Sequence, residues 1–170
     1  MSTVELATAS AEETRALAAS LAEVARPGDR LALHGPLGAG KTQFAKGFAG
    51  GLGVREVVLS PSFTLMAEYE GRLPLFHLDL YRLGGDAEAY EGGLLDEREA
   101  GGVTLIEWGE RLSEAVDPER FEVSIASPPG SSGEGDVEPR TITLVAPSPR
   151  YARYLEQARA WPNRAAVRAP

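Results

Sequence analysis

Gly35-Pro36-Leu37-Gly38-Ala39-Gly40-Lys41-Thr42 is the stretch that decides how this chain is read. It matches the phosphate-loop pattern G-x-x-x-x-G-K-[ST] in full. Leu31-Ala32-Leu33-His34 before it reads as a short buried strand. A helix carrying Phe44, Phe48 and Leu52 follows, closed by Gly53. Each part of such a loop has a physical task. Glycines let the backbone turn its N–H groups onto phosphate oxygens. The start of the following helix adds the positive end of a dipole. Lys41 supplies a point charge for β- and γ-phosphates, and the Thr42 hydroxyl can join a magnesium shell. Nucleotide contacts are therefore expected from Gly35, Pro36, Leu37, Gly38, Ala39, Gly40, Lys41, Thr42 and Gln43. The plain alternative is a Gly-rich turn before an ordinary helix.

A phosphate loop needs a carboxylate from across the sheet to hold the metal and orient water. Asp79 follows Leu75-Phe76-His77-Leu78, and Glu107 follows Val103-Thr104-Leu105-Ile106. Both fall at the C-terminal end of a strand, where ligands gather in open α/β sheets. Asp79, Glu107 and Lys41 form the expected catalytic set, and Thr42, Glu107 and Asp79 the expected magnesium set. For either acid the plainer reading is an exposed carboxylate capping a strand. His77 shares a strand face with Asp79. It reads as a partner of that carboxylate or of phosphate, or as a packed core histidine. Tyr81 and Arg82 come next, and Arg82 suits a phosphate or a surface acid equally. Ser60-Pro61-Ser62-Phe63-Thr64 stands where a switch segment would sense γ-phosphate and metal. Its chemistry alone fits a Ser-Pro turn leading into a strand.

Outward from the loop, strands and helices alternate. Ser10 with Glu13 reads as a capping box, Leu17, Leu21 and Val24 share a helical face, and Pro27-Gly28-Asp29 ends that helix. Val57-Val58-Leu59 reads as a second strand, Leu73 to Leu80 as a third and Val103 to Ile106 as a fourth. Asp86 to Arg98 looks helical, broken by Gly92-Gly93. Phe121, Val123 and Ile125 alternate, as do Ile142 and Leu144, around a loop rich in glycine, serine and proline. That pattern is an antiparallel hairpin. Tyr151 to Trp161 reads as a last helix. The expected fold is an α/β phosphate-loop NTPase: a three-layer sandwich with a mostly parallel sheet and an antiparallel hairpin near the C-terminus. Residues 1–149 would form the ATPase domain, with 150–170 a basic helix and tail of the same domain.

Composition narrows the class. A chain of 170 residues, 43% hydrophobic, suits one such domain. The absence of cysteine excludes a disulfide framework and a cysteine-ligated metal. Met1 to Glu13 lacks a basic stretch followed by an apolar run, and no segment approaches the roughly 20 apolar residues of a membrane span. A cytoplasmic location off the membrane is expected. The net charge of −8 argues against a surface that binds nucleic acid throughout. Yet residues 150–170 carry five arginines and one acid, a net +4, leaving −12 on the rest. These arginines read as a solvated helix and tail, or as a docking stripe of Arg150, Arg153 and Arg159.

The ordered set Gly-Pro-Leu-Gly-Ala-Gly-Lys-Thr, Ser-Pro-Ser-Phe-Thr-Leu, His-Leu-Asp-Leu-Tyr-Arg and Ile-Glu-Trp-Gly-Glu-Arg resembles the tRNA threonylcarbamoyladenosine biosynthesis ATPase family, TsaE or YjeE, over about Ser10 to Arg111. The resemblance implies an ATPase using ATP and Mg²⁺. It would act with TsaD-like and TsaB-like proteins in forming N6-threonylcarbamoyladenosine at position 37 of tRNA, reaching tRNA through that complex. By the same resemblance Thr42 and Glu107 hold magnesium, and Asp79 matters for nucleotide use. Glu12 and Thr14 approach the nucleotide from an early helix, Arg140 does so from a late strand, and Trp108 lies close by. Two positions depart from the family pattern. Pro36 stands where Asp is usual and removes a backbone donor, and Ser62 stands where Thr is usual.

Two other functions fit a phosphate loop. A small-molecule kinase would need an acceptor pocket and an arginine-rich lid, and no lid sequence is evident. A nucleotide-sensing module would use ATP as a switch with incidental hydrolysis.

Overall fold

The computed structural model describes residues 1–36, 38–59, 66–80, 101–108, 119–127 and 139–161. Its strands are β1 (Ser2–Thr8), β2 (Arg30–His34), β3 (Met66–Tyr69), β4 (Leu75–Asp79), β5 (Val103–Glu107), β6 (Phe121–Ala126) and β7 (Arg140–Ala146). The helices are α1 (Ala11–Ala22), α2 (Lys41–Gly51) and α3 (Ala152–Ala160), the last entered through a 3₁₀ turn at Pro149–Tyr151. The strands form one sheet in the order β1-β7-β6-β2-β5-β4-β3.

Among the described residues the sheet is mixed rather than mostly parallel. β2 runs parallel to β5 and β6, and β4 parallel to β5. β6–β7 is the expected antiparallel hairpin. The sheet then gains an antiparallel strand at each edge, β1 on β7 and β3 on β4. β1 was not among the expected strands, and β3 was anticipated only as the strand into which a Ser-Pro turn would lead. Conversely, Val57-Val58-Leu59 is not a strand. Val57 and Leu59 are 79% and 62% exposed, and of the three only Val58 is buried, in the main core.

The first helix starts with a variant of the expected capping box, its return bond falling one residue before the N-cap. Glu13 N–H donates to Ser10 Oγ at 3.2 Å, and Glu13 Oε2 reaches back to the Ala9 N–H at 2.7 Å. Leu17 and Leu21 face Phe44 and Phe48 of α2 in the main core, with Leu31, Leu33, Leu105 and Val123 from the sheet. The two helices approach backbone to backbone. A Cβ placed on Gly47 would sit 2.2 Å from the Arg15 carbonyl oxygen, which leaves room there for glycine alone. β4 and β5 are buried at every residue, hence on both faces, and Phe76, Leu78 and Ile106 are buried away from the main core. The helix expected at Asp86 to Arg98 lies outside the described residues.

Helix α3 packs against α1, β1 and β7. Tyr151, Tyr154, Leu155 and Trp161 join the core, and Tyr154 stacks on Phe121 with ring centroids 4.8 Å apart. Beneath them lies Asp29, 1% exposed, which accepts from Arg153 Nη2, from the Tyr154 hydroxyl at 2.5 Å and from the Arg26 N–H at 2.9 Å. Arg153 also donates to the Val24 carbonyl at 2.7 Å. Arg153 therefore leaves the expected docking stripe: its charge is turned inward against a buried acid, while Arg150 and Arg159 remain exposed. Burial, with Asp29 alongside, holds the Tyr154 phenol well above its usual range. Among the described residues no helix is long and apolar enough to cross a membrane.

Candidate functional site

The C-terminal ends of β2, β5 and β4 lie side by side. Their register sets Leu33 beside Glu107 and Glu107 beside Asp79. β2 runs directly into the glycine loop, and the loop into α2. Gly35 sits at φ 148°, and a Cβ there would come 2.4 Å from the Ile125 carbonyl oxygen of β6, so any side chain would push the loop off the sheet. Gly40, at φ 109°, is the N-cap of α2. It offers no side-chain cap, and the first turn holds no acid. The helix itself thus supplies no carboxylate to its own positive dipole end.

Lys41 is only 6% exposed. Its Nζ donates to the Gly35 carbonyl and, at 3.3 Å, to the Pro36 carbonyl. It also lies 3.5 Å from the centroid of the Trp108 ring. Trp108 has φ 59°, a left-handed conformation costing a bulky residue on the order of 1–3 kcal/mol. That strained backbone follows β5 immediately and places the indole over the ammonium, a cation–π contact.

The two strand-end acids are not exposed caps. Asp79 is 3% and Glu107 2% exposed. Glu107 is held from two sides: Thr42 Oγ1 donates to Oε1 at 3.1 Å, and His77 Nε2 lies 2.5 Å from Oε2. His77 thus pairs with Glu107, a choice the sequence could not make, since both acids share its face and the register decides. Among the described residues no three His, Cys, Asp or Glu side chains form a metal cage. A magnesium ion beside a nucleotide does not need one, since it takes a few protein oxygens and fills its shell with phosphate and water. A hydroxyl already bonded to a buried carboxylate, with a second buried carboxylate in register, is a hard-oxygen set of the kind magnesium prefers.

The remaining expected residues divide. Arg140 begins β7 and turns its buried guanidinium onto the loop: Nε donates to the Ala39 carbonyl at 3.0 Å and Nη2 to the Gly38 carbonyl at 3.4 Å. Its observed contacts hold the loop itself. Gln43 accepts from Arg15 Nη1 at 2.6 Å, tying α2 to α1. The Thr14 hydroxyl is bonded to that of Thr8 at 2.7 Å, and both are buried. Glu12 is exposed in the same first turn of α1. Leu37 and Ser62, and the segment from Ser60 to Thr64, lie outside the described residues, as do Tyr81 and Arg82. Thr8 was not singled out from the sequence; its signal, alternation with Val4 and Leu6, was present.

The molecule is thus a mixed α/β protein whose glycine loop and uncapped helix start face two buried acids at the strand ends. A family model described as threonylcarbamoyl adenosine biosynthesis protein TsaE matches residues 8–132. The chain belongs to the TsaE family. It is 43% identical over 151 residues to the tRNA threonylcarbamoyladenosine biosynthesis protein TsaE of Bacillus subtilis, covering 88% of this chain and 90% of that one. The protein of the same name from Streptomyces coelicolor is 36% identical over 141 residues, covering 81% and 93%. Among solved structures, Bacillus subtilis YdiB superposes with a TM-score of 0.72 at 38% identity, covering 93% of this chain and 95% of that one.

Proposed function

We propose that this chain is a magnesium-dependent ATPase of the phosphate-loop class, serving the formation of N6-threonylcarbamoyladenosine on tRNA, the process for which its relatives are named. Its partners would be TsaD-like and TsaB-like proteins in the cytoplasm, with tRNA reached through their complex. The fold reading that goes with this is a three-layer sandwich in which residues 1–149 and 150–170 act as one domain. Burial of β4 and β5 on both faces supports it.

The observation that carries the proposal is the bond from Thr42 to Glu107 beside a buried Lys41. The loop N–H groups and the start of α2 bind phosphate oxygens. Lys41 exchanges the Gly35 and Pro36 carbonyls for the β- and γ-phosphates, under the face of Trp108. Thr42, Glu107 and Asp79 are the oxygens that would hold magnesium, which supplies charge neutralisation at the phosphates. Asp79, next to Glu107, orients the attacking water. Arg140 keeps the loop carbonyls turned away from the phosphates by occupying them. Its guanidinium is engaged there, so it is not poised as a finger on the γ-phosphate, and turnover should be slow until a partner contributes.

The test is ATP hydrolysis by the purified chain, alone and with the two partner proteins, without any acceptor. Slow hydrolysis stimulated by the partners is expected. Turnover only with a small-molecule acceptor would make the chain a kinase, and tight binding with no stimulated hydrolysis would make it a nucleotide-sensing module.

A further inference from the structure

We propose that His77 is a positioning residue that aims the Glu107 carboxylate at Thr42. An ionised carboxylate can only accept, so His77 Nε2 donates to Oε2, at 2.5 Å. The other oxygen, Oε1, is thereby turned to the first residues of α2, where Thr42 meets it at 3.1 Å. Both members of the pair are buried, with side chains 0% and 3% exposed, so the bond is made in a low dielectric where it is strong and directional.

The second nitrogen identifies what the imidazole is there for. His77 Nδ1 is buried and has no hydrogen-bond partner among the described residues. A buried polar atom left without a partner carries a cost on the order of 1–3 kcal/mol. A histidine kept only for packing has no reason to bear that cost, since position 77 lies between Leu105 and Ala67 in the sheet, where an aliphatic side chain would fit. The bond to Glu107 is the compensating interaction. Removing it frees the carboxylate to rotate, and Oε1 loses its direction. Groups behind a metal ligand typically change metal affinity by about 10–100-fold when removed.

This inference rests on the proposed role of Glu107 as a magnesium ligand. The experiment measures ATP affinity by calorimetry over a range of magnesium concentrations and in EDTA, for the wild type, His77→Leu, His77→Gln and His77→Asn. Gln can place its amide nitrogen near the position of Nε2, and Asn only near that of Nδ1. His77→Leu should raise the half-saturating magnesium concentration by about tenfold or more, with affinity in EDTA unchanged. His77→Gln should recover most of that loss and His77→Asn should not. If His77→Leu fails to fold, the Gln and Asn pair decides alone. Equal magnesium dependence in Gln and Asn variants, or a His77→Leu protein like wild type, would make His77 a packing residue. A wild type whose ATP affinity ignores magnesium would instead overturn the metal site itself, leaving this inference without a basis.

Discussion

Thr42, in the first turn of α2, donates its hydroxyl to Glu107, the last residue of β5, at 3.1 Å. That bond joins the loop side of the site directly to the acid side. It also separates the two acids, since Glu107 is engaged directly and Asp79 lies in register beside it.

Substituting the acids should therefore have different consequences. Glu107→Ala is expected to weaken magnesium-dependent ATP affinity by about tenfold or more. Asp79→Asn, whose amide keeps one ligating oxygen, should weaken affinity less than Glu107→Ala and should mainly slow hydrolysis, by roughly a hundredfold, because a water-orienting group acts on the transition state. Single-turnover kinetics alongside binding isotherms would tell these apart. Wild-type behaviour in both variants would remove the acids from the site.

Arg140→Met keeps the stem and removes the donors that hold the Ala39 and Gly38 carbonyls. One buried and one part-buried carbonyl contact are lost, the buried one worth about 1 kcal/mol and the longer one less. ATP affinity should fall by roughly tenfold through a loosened loop. Amide exchange of Ala39 and Gly40 should quicken in the absence of nucleotide. Unchanged exchange would mean that the guanidinium does not hold the loop.

Asp29→Ala should destabilise the protein by about 3 kcal/mol, since it strands Arg153 and Tyr154. ATP affinity should not change. Tyr154→Phe should cost about 1–2 kcal/mol at neutral pH. The Tyr154 phenol is raised above its usual range by burial and by Asp29, so folding favours its neutral form. Its contribution is fully present below about pH 10, the unfolded value, and declines as pH rises beyond that. Alkaline loss of stability should therefore be shallower in Tyr154→Phe. Denaturant unfolding at neutral pH and near pH 11 would check both points.

The parts of the molecule legible in the sequence were those whose signal is local. The glycine loop, the apolar run into it and the Phe44–Phe48 spacing follow one after another in the chain, and β2 and α2 lie where that spacing puts them. The alternation of Phe121, Val123 and Ile125 likewise marks β6. Edge strands were harder. β3 has four residues and one buried residue, so it shows almost no period. β1 does alternate, but a strand at the chain start needs β7, more than 130 residues away, to define it. Val57 to Leu59 misled in the opposite way, because apolar composition says nothing of strand pairing: Val58 joins the core, but the run pairs with no described strand. At the candidate site, the sequence singles out Lys41, Thr42, Asp79, Glu107 and His77, and the fold brings them near one another. That His77 meets Glu107 depends on the β4–β5 register, and that Arg153 faces Asp29 depends on how α3 docks. Neither is a property of local sequence.

The proposed ATP binding depends most directly on Lys41. Its ammonium is buried in the loop, held by two carbonyls and an indole face. Calorimetric titration of ATP with magnesium into wild type and Lys41→Ala tests whether that charge is there for phosphate. The expected result is saturable binding in the wild type and a loss of roughly a hundredfold or more in the variant, with the fold retained. Equal affinities in the two proteins would contradict the assignment of this loop as the ATP site.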